Sequence, residues 1–400
     1  MNENKFPFIV WLVLIFVLLS YWIGTTTIGE YSLKGYAWFI PLCFSILIIA
    51  PNLKRITFPI FIWIPWIAFI VLYALLSDYA GAIQRSAMLI CPLFIGAAVS
   101  SLYVDYDTLN KFSKYLLYLS VGFIIVSVFK SGTLITGDLP IYGDAAGMIS
   151  ITLISCYIAV RYVQGEPKLF YYWVLLQIIP FVQITRMATL ANLATMPFTL
   201  APLKLKKRII FILIVIIAGT VMFFDQRVQQ KMFHSGSGTF KDIALDNPDF
   251  KTHGRAYTWA IMSAEAEKRP WLGYGANASQ ALLEQLTRGE MLHPHNDYLR
   301  IRYDYGYVGI LIFLICTLLQ LFHALKMAKI TEGDTKLLFY TGASAFVPFA
   351  LLMITDNIIL YTAFFGNLHF TILGMAYAAH NTREQMFEID NSYPNENITQ

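Results

Sequence analysis

The sequence predicts an all-α fold: a polytopic transmembrane helical bundle of about twelve spans, interrupted by one long, largely helical loop. Hydrophobic residues make up 57% of the 400-residue chain and charged residues only 14%, and the mean hydropathy is +0.57. Apolar runs of about membrane length recur, and one long polar stretch at 225–305 separates them. Because a bilayer offers the backbone no hydrogen-bond partners, such runs cross it as helices. This composition argues against a soluble fold.

The apolar runs and the polar stretches divide the chain into four parts. A bundle of about nine spans is predicted for 1–224, a polar loop for 225–305, about three more spans for 306–378 and a cytoplasmic tail for 379–400. The first run has neither a basic segment nor a small-residue cleavage site, so it is expected to remain as a helix rather than to be removed as a signal peptide. The runs lie at 6–23, 36–50, 58–76, 87–100, 115–129, 147–163, 170–184, 188–203, 209–224, 306–322, 337–354 and 358–378.

The positions of lysine and arginine predict the orientation in the membrane. With the N-terminus in the cytoplasm, most basic residues of the short connections fall on the cytoplasmic side, among them the run at 204–208. Short connections rich in Lys and Arg stay in the cytoplasm, whereas long loops are translocated largely regardless of charge. Both termini are therefore expected inside and the long loop outside. The short outer connections contain only Lys34, Arg85, Lys130 and Arg186.

The long loop is expected to fold. Residues 257–268 are rich in helix formers and predict a helix that stops at Pro270, and a second short helix is expected at 280–286. Between them, 270–275 is typical of a turn, with Trp271 at the level of the lipid headgroups. The loop is therefore predicted to form a helical cap over the bundle, with a site between cap and bundle.

The cluster His-Pro-His-Asn-Asp-Tyr-Leu at 293–299 is the strongest indication of a site. It directly precedes a membrane-length run, where ionisable residues usually serve a function. His295 can accept a proton near neutral pH, and Asn296 or Asp297 is expected to orient its ring, with His293 in support. The alternative for a loop histidine is a purely structural hydrogen bond. Two histidines alone make no metal site and the cysteines lie inside apolar runs, so no metal and no cofactor are expected.

Two arginines suit the binding of an anion. Arg186 lies between two apolar runs near the outer surface. An arginine at such a position commonly only extends its charged group to the membrane–water interface and has no further role. In a functional role, its guanidinium group would bind phosphate oxygens with both arms. Arg255 lies at the start of the first predicted loop helix, and a guanidinium group at a helix N-terminus makes a natural anion site. Asp356, in the outer turn between the last two runs, is either an ordinary turn residue or a partner of these side chains.

Taken together, these motifs resemble the signature of the O-antigen ligase and polymerase superfamily. Four segments carry this resemblance. They are residues 295–299 directly before a predicted membrane helix, Gly254-Arg255 together with Trp259, the turn at 270–275, and Thr185-Arg186. With about twelve spans and one long loop, the resemblance covers most of the chain. The order and spacing of the motifs make it fairly specific.

The resemblance implies a glycosyltransferase of the inner membrane of Gram-negative bacteria with a periplasmic site. An O-antigen ligase transfers O-antigen polysaccharide from undecaprenyl diphosphate to a sugar hydroxyl of lipid A-core. In this chain, Arg186 and Arg255 match the two arginines that hold the diphosphate, and His295 matches the essential histidine. Asp356 is a looser match to an acidic residue of the last periplasmic turn. Direct attack without a metal ion would invert the anomeric centre.

Other functions remain open from the sequence. An O-antigen polymerase uses the same donor chemistry with a second lipid-linked repeat unit as acceptor. Such polymerases often carry two substantial periplasmic loops, so the single long loop favours the ligase. A protein O-glycosyltransferase is disfavoured by the short polar tail after Ala378. A transporter of lipid-linked glycan would place charges deep in the spans and would contain internal repeats, neither of which is clear here.

Overall fold

The computed structural model describes residues 6–23, 27–28, 31–131, 145–182 and 185–392. These residues form fifteen α-helices, and strand pairing among them is limited to two short antiparallel strands and one isolated bridge. The prediction of an all-α fold is confirmed. The elements are α1 (Phe8–Ile23), β1 (Thr27–Ile28), β2 (Tyr31–Ser32), α2 (Leu33–Asn52), α3 (Ile64–Leu76), α4 (Ala82–Ser100), α5 (Tyr106–Ser131), α6 (Ala145–Val163), α7 (Leu169–Val182), α8 (Arg186–Ala194), α9 (Leu205–Phe224), α10 (Gln226–Met232), α11 (Arg255–Ala266), α12 (Ala278–Thr287), α13 (Asp297–Ile330), α14 (Gly333–Leu352) and α15 (Asn367–Ser392).

Six of the described helices are long and apolar enough to cross a membrane, and four shorter apolar helices accompany them. The prediction of a polytopic bundle is confirmed. In α4 and α14, 61% and 67% of the apolar window is buried, so these helices form the centre of the bundle. In α9 only 17% is buried, which leaves its isoleucine and valine side chains to face lipid.

Two predicted spans differ from continuous helices. The run at 188–203 contains only α8, which has nine residues and ends at Ala194. Pro197 explains this end, because a proline disfavours helical backbone in the residue before it and cannot donate a helical hydrogen bond. The run at 358–378 begins with a 3₁₀ turn (Ile358–Leu360) and a π-helical turn (Thr362–Gly366) before α15. Such π-helical turns are frequent at functional sites.

The cap consists of α11 and α12, as the sequence predicts, and it joins the bundle through a kink in α13. Gly306 interrupts α13 with φ 67° and ψ −168°. The turn at 270–275 fits into this kink: the N–H groups of Tyr307 and Val308 donate to the carbonyls of Pro270 and Trp271 at 2.8 and 3.1 Å. In return, the carbonyls of residues 303 and 304 accept from the N–H groups of residues 274 and 275. We call this interlock of 270–275 with 303–308 the main-chain clamp.

Replacing Gly306 by alanine should destabilise the protein. The backbone of Gly306 occupies a region that is essentially restricted to glycine, where another residue costs roughly 1–3 kcal/mol, and a Cβ atom there would collide with the carbonyl of Trp271. We expect a lower midpoint of thermal unfolding for the full-length protein in detergent. Gly219→Ala is the matched control, because nothing lies within 4 Å of a Cβ at this helical position. Equal midpoints for the two variants would contradict the clamp.

Candidate active site

The predicted site residues meet at the end of the bundle that carries the cap. The cap packs on the connection between α3 and α4, where the Asn277 side chain donates to the carbonyl of Ala80 at 2.7 Å. At the same end, Asp297 begins α13 and donates its N–H to the carbonyl of Met353 at 2.8 Å. This bond joins the histidine cluster to the turn that follows α14. The site therefore lies between cap and bundle.

His295 is held by the turn at 356–357. Its backbone has a positive φ of 52°, and its N–H donates to Asn357 Oδ1 at 3.0 Å. The ring atom Nδ1 lies 3.0 Å from Asn357 Nδ2 and 3.6 Å from Asp356 Oδ1. The expected pairing of Asp356 with a site residue is therefore present, and Asn357 is a second partner that the sequence analysis treated only as a turn residue.

The orientation of the Asn357 amide determines what the His295 ring does. Asn357 is fully buried, and its Oδ1 accepts both from the His295 N–H and from Arg300 Nη2 at 2.8 Å. Two N–H donors at one atom identify that atom as the oxygen, so the amide nitrogen faces the ring. A neutral His295 ring in this arrangement accepts at Nδ1 and carries its proton on Nε2. In the other tautomer Nδ1 carries the proton, and the Asp356 carboxylate, 3.6 Å away, is the candidate acceptor for it.

Asn296 and Asp297 have roles other than orienting the His295 ring. The Asn296 side chain caps α13 by accepting from the N–H of Leu299 at 2.9 Å. Asp297 is fully buried and accepts from the N–H of Ile359 at 2.9 Å. Both residues fix the start of α13 and the turn before α15. The expectation that one of them orients the ring is wrong, because Asn357 contacts it.

Arg255 and Arg186 bring two guanidinium groups to the same region. Arg255 begins α11, and its Nη1 donates to the carbonyl of Thr355 at 3.2 Å, directly before Asp356. Burial lowers the pKa of Arg255, and the charge of Asp356 partly offsets this effect. Arg186 begins α8. Burial and then the positive charge of Arg255 lower the pKa of Arg186. Two partly desolvated cations of like charge are stabilised by a bound anion.

Two further basic residues extend this pair. Burial and then the charge of Arg186 lower the pKa of Lys231, which lies near the end of α10. Burial and the charges of Arg186, Arg255 and Lys231 lower the pKa of His253. We call Arg186, Lys231, His253 and Arg255 the cationic cluster. Sequence analysis missed Lys231, for which no local pattern exists. His253 could have been identified from the sequence, because it stands two residues before Arg255.

His293 lies on the other side of His295, against charged residues. It lines a cavity of about 20 Å³ together with Arg85, Arg300 and Asp304, which is room for a single water molecule. Burial lowers the pKa of His293 to about 2, and the charges of Arg300 and Arg85 add to the effect. His293 is therefore neutral at physiological pH, and its supporting role stays a prediction.

The low pKa of His293 predicts a pH-dependent stability. In the unfolded chain a histidine titrates near pH ~6.5, so below that pH the unfolded state binds a proton that the folded state excludes. The contribution of His293 is fully present above that pH and is lost as the pH falls toward about 2. His293→Gln should therefore weaken the fall of the unfolding midpoint between about pH 7 and pH 5. His234→Gln, at an exposed histidine, is the control, and an equal slope in both variants would refute the prediction.

No cluster of three or more His, Cys, Asp or Glu side chains suited to a metal ion occurs among the residues that the structure describes. The site contains the cationic cluster and the His295 ring with its two partners. Guanidinium and ammonium groups bind phosphate oxygens, and imidazole exchanges protons.

The fold is that of a polytopic helical membrane protein, and basic side chains lie near the His295 ring at one end of its bundle. Residues 170–314 match the family model described as O-antigen ligase, a range that includes Arg186, Arg255 and His295 but not Asp356. The match confirms the resemblance to the O-antigen ligase superfamily over this part of the chain. Members of this family are glycosyltransferase-type enzymes of the ligase or polymerase kind. No curated protein matches the sequence.

Proposed function

We propose that this chain is an O-antigen ligase, which transfers O-antigen polysaccharide from undecaprenyl diphosphate to a sugar hydroxyl of lipid A-core. The observation that carries the proposal is the meeting of Arg186 and Arg255 with the His295–Asp356 pair at one end of the bundle. These side chains come from four separate elements, and they supply the two functions that the reaction needs. One is an anion site for the leaving group, and the other is a base for the incoming hydroxyl.

The two arginines stabilise the diphosphate as it leaves. When the bond between the anomeric carbon and the diphosphate oxygen breaks, the electron pair stays on that oxygen and the negative charge on the phosphate increases. Guanidinium groups that are already oriented and partly desolvated bind this charge more strongly than water does. Arg255 is fixed in place by its bond to the Thr355 carbonyl. The arginines therefore offset the developing charge directly.

His295 activates the acceptor hydroxyl. In the active ring Nε2 accepts the hydroxyl proton, the freed oxygen attacks the anomeric carbon, and the diphosphate leaves from the opposite face with inversion. A ring that accepts at Nε2 must carry its other proton on Nδ1, and Asp356 Oδ1, at 3.6 Å, is the acceptor for it. The contact with the Asn357 amide stabilises the other tautomer of the ring, in which Nε2 carries the proton. During the proposed catalytic cycle, the Nδ1 atom of His295 therefore changes its hydrogen-bond partner from Asn357 to Asp356.

The proposed placement is the inner membrane of a Gram-negative bacterium, with both termini in the cytoplasm and residues 225–305 in the periplasm. The basic residues support it. Lys54 and Arg55 lie just before Phe58, whose N–H donates to Ser100 Oγ at 3.0 Å at the end of α4 away from the cap. Lysine and arginine are enriched on the cytoplasmic side of membrane proteins. The cap and the site then face the periplasm, where lipid A-core would be the acceptor.

Complementation in a ligase-deficient Gram-negative strain that makes its own O-antigen tests this function. Expression of the chain should restore lipopolysaccharide ladders on a gel, and His295→Ala, expressed at the same level, should leave bare core. Restoration in a polymerase-deficient strain but not in the ligase-deficient strain would instead assign an O-antigen polymerase, which joins lipid-linked repeat units. Failure in both strains would overturn the proposal and favour another acceptor or a transporter of lipid-linked glycan.

A further inference from the structure

A second pocket opens next to the cationic cluster. The loop between α10 and α11 folds back on itself, since the N–H of His234 donates to the carbonyl of Asp249 at 2.8 Å and the N–H of Lys251 donates to that of Met232 at 2.7 Å. This loop borders an open pocket of about 560 Å³, lined among others by His234, Asp246 and His253. Sites for small molecules typically measure roughly 300–1,000 Å³.

His253 connects the pocket to the cationic cluster. His253 and Gly254 both line the pocket, and Arg255 follows Gly254 directly in the chain. Because Arg255 Nη1 also donates to the carbonyl of Thr355 at 3.2 Å, Arg255 connects the wall of the pocket to the turn that holds His295. A ligand with a diphosphate on the arginines would therefore have its next groups at the entrance of the pocket.

We propose that this pocket binds the sugar residues of the donor that are closest to the diphosphate. The inference rests on the proposed function and adds a subsite to it. The first sugar is bonded directly to the diphosphate, so the glycan must continue from the cationic cluster. The pocket offers an exposed carboxylate at Asp246 and the ring of His234 for sugar hydroxyls, and an exposed aliphatic side chain at Leu245 for the apolar face of a sugar. Glycan selectivity then depends on this loop.

Two variants of the full-length protein in detergent test the subsite. Asp246→Ala removes a hydrogen-bonding group, and Leu245→Trp fills the pocket. The probes are undecaprenyl diphosphate that carries one O-antigen repeat unit and undecaprenyl diphosphate without sugar, each titrated to obtain a Kd. In both variants the Kd for the glycosylated lipid should rise about tenfold, which corresponds to 1.4 kcal/mol. The Kd for the sugar-free lipid should stay within about twofold.

The controls separate this subsite from the diphosphate site and from the proposed function. Glu284→Ala removes an exposed acid on α12, outside the pocket, and should change neither Kd. Arg255→Ala should raise both. An unchanged Kd for the glycosylated lipid in the pocket variants, or an equal rise for both lipids, would overturn the subsite. Because binding needs no acceptor, a wild-type protein that binds the glycosylated lipid tightly but transfers nothing to lipid A-core refutes the ligase proposal and leaves the subsite supported.

Discussion

His295→Ala is expected to lower kcat for glycan transfer by about 10²–10⁴-fold, the usual contribution of a general base. The variant removes the imidazole ring whose Nδ1 lies beside the Asp356–Asn357 turn. It leaves Arg186 and Arg255 in place, so the donor should still bind with an unchanged Kd. The measurement is transfer from the lipid-linked glycan to purified lipid A-core, with donor affinity determined in parallel.

Asp356→Asn and Asn357→Ala distinguish a base from a structural histidine. Asp356→Asn removes the carboxylate that would accept the Nδ1 proton, so it should lower kcat without changing donor affinity. Asn357→Ala removes the contact of the His295 ring with the amide group, but it also removes a buried hydrogen bond of Arg300 and should lower the unfolding midpoint. A fall of less than about tenfold in kcat for His295→Ala would exclude general base catalysis by this residue.

Arg255→Ala should lower kcat for transfer by about 10²–10³-fold, the usual effect of removing one group that stabilises developing charge. Arg186→Ala should have an effect of similar size, because each guanidinium group acts on the other through the same site. Lysine at either position restores the charge but not the planar, two-armed contact with phosphate, so Arg→Lys variants should recover only part of the activity. Initial rates at saturating acceptor provide the measurement.

Arg288→Ala is the matched control for the arginine variants, because Arg288 is an exposed arginine in the same loop at the end of α12. It should retain full activity. An equal loss in Arg288→Ala and Arg255→Ala would show that the positive charge of the loop as a whole matters rather than the two oriented groups. Full activity of the Arg→Lys variants would contradict bidentate binding.

The sequence was sufficient to predict the helical bundle and the two helices of the cap. Apolar runs of membrane length determine spans because the bilayer leaves the backbone no alternative. Arg186 and Arg255 stand at the N-termini of α8 and α11, positions that helix signals indicate. The early end of α8 was also accessible, because Pro197 lies inside the predicted span.

The partners of His295 could not be predicted in the same way. Asn357 and Arg300 contact each other across 57 positions, and Asn357 reaches His295 across 62. Such pairs depend on how α13 and α14 pack, which no local pattern encodes. Asn296 is adjacent to His295 and was the natural choice for an orienting residue, but a side chain at that position has an orphan N–H group of α13 within reach and binds it instead.

The main-chain clamp joins the cap and the first part of α13 into one structural unit. Its bonds involve only backbone groups, so the joint depends on the backbone conformations of Gly273 and Gly306, where a Cβ atom would collide with the opposing main chain. This unit includes the start of α13 at Asp297, two residues after His295. Under the proposed function, a donor that displaces the cap would therefore displace the start of α13 and the proposed base with it.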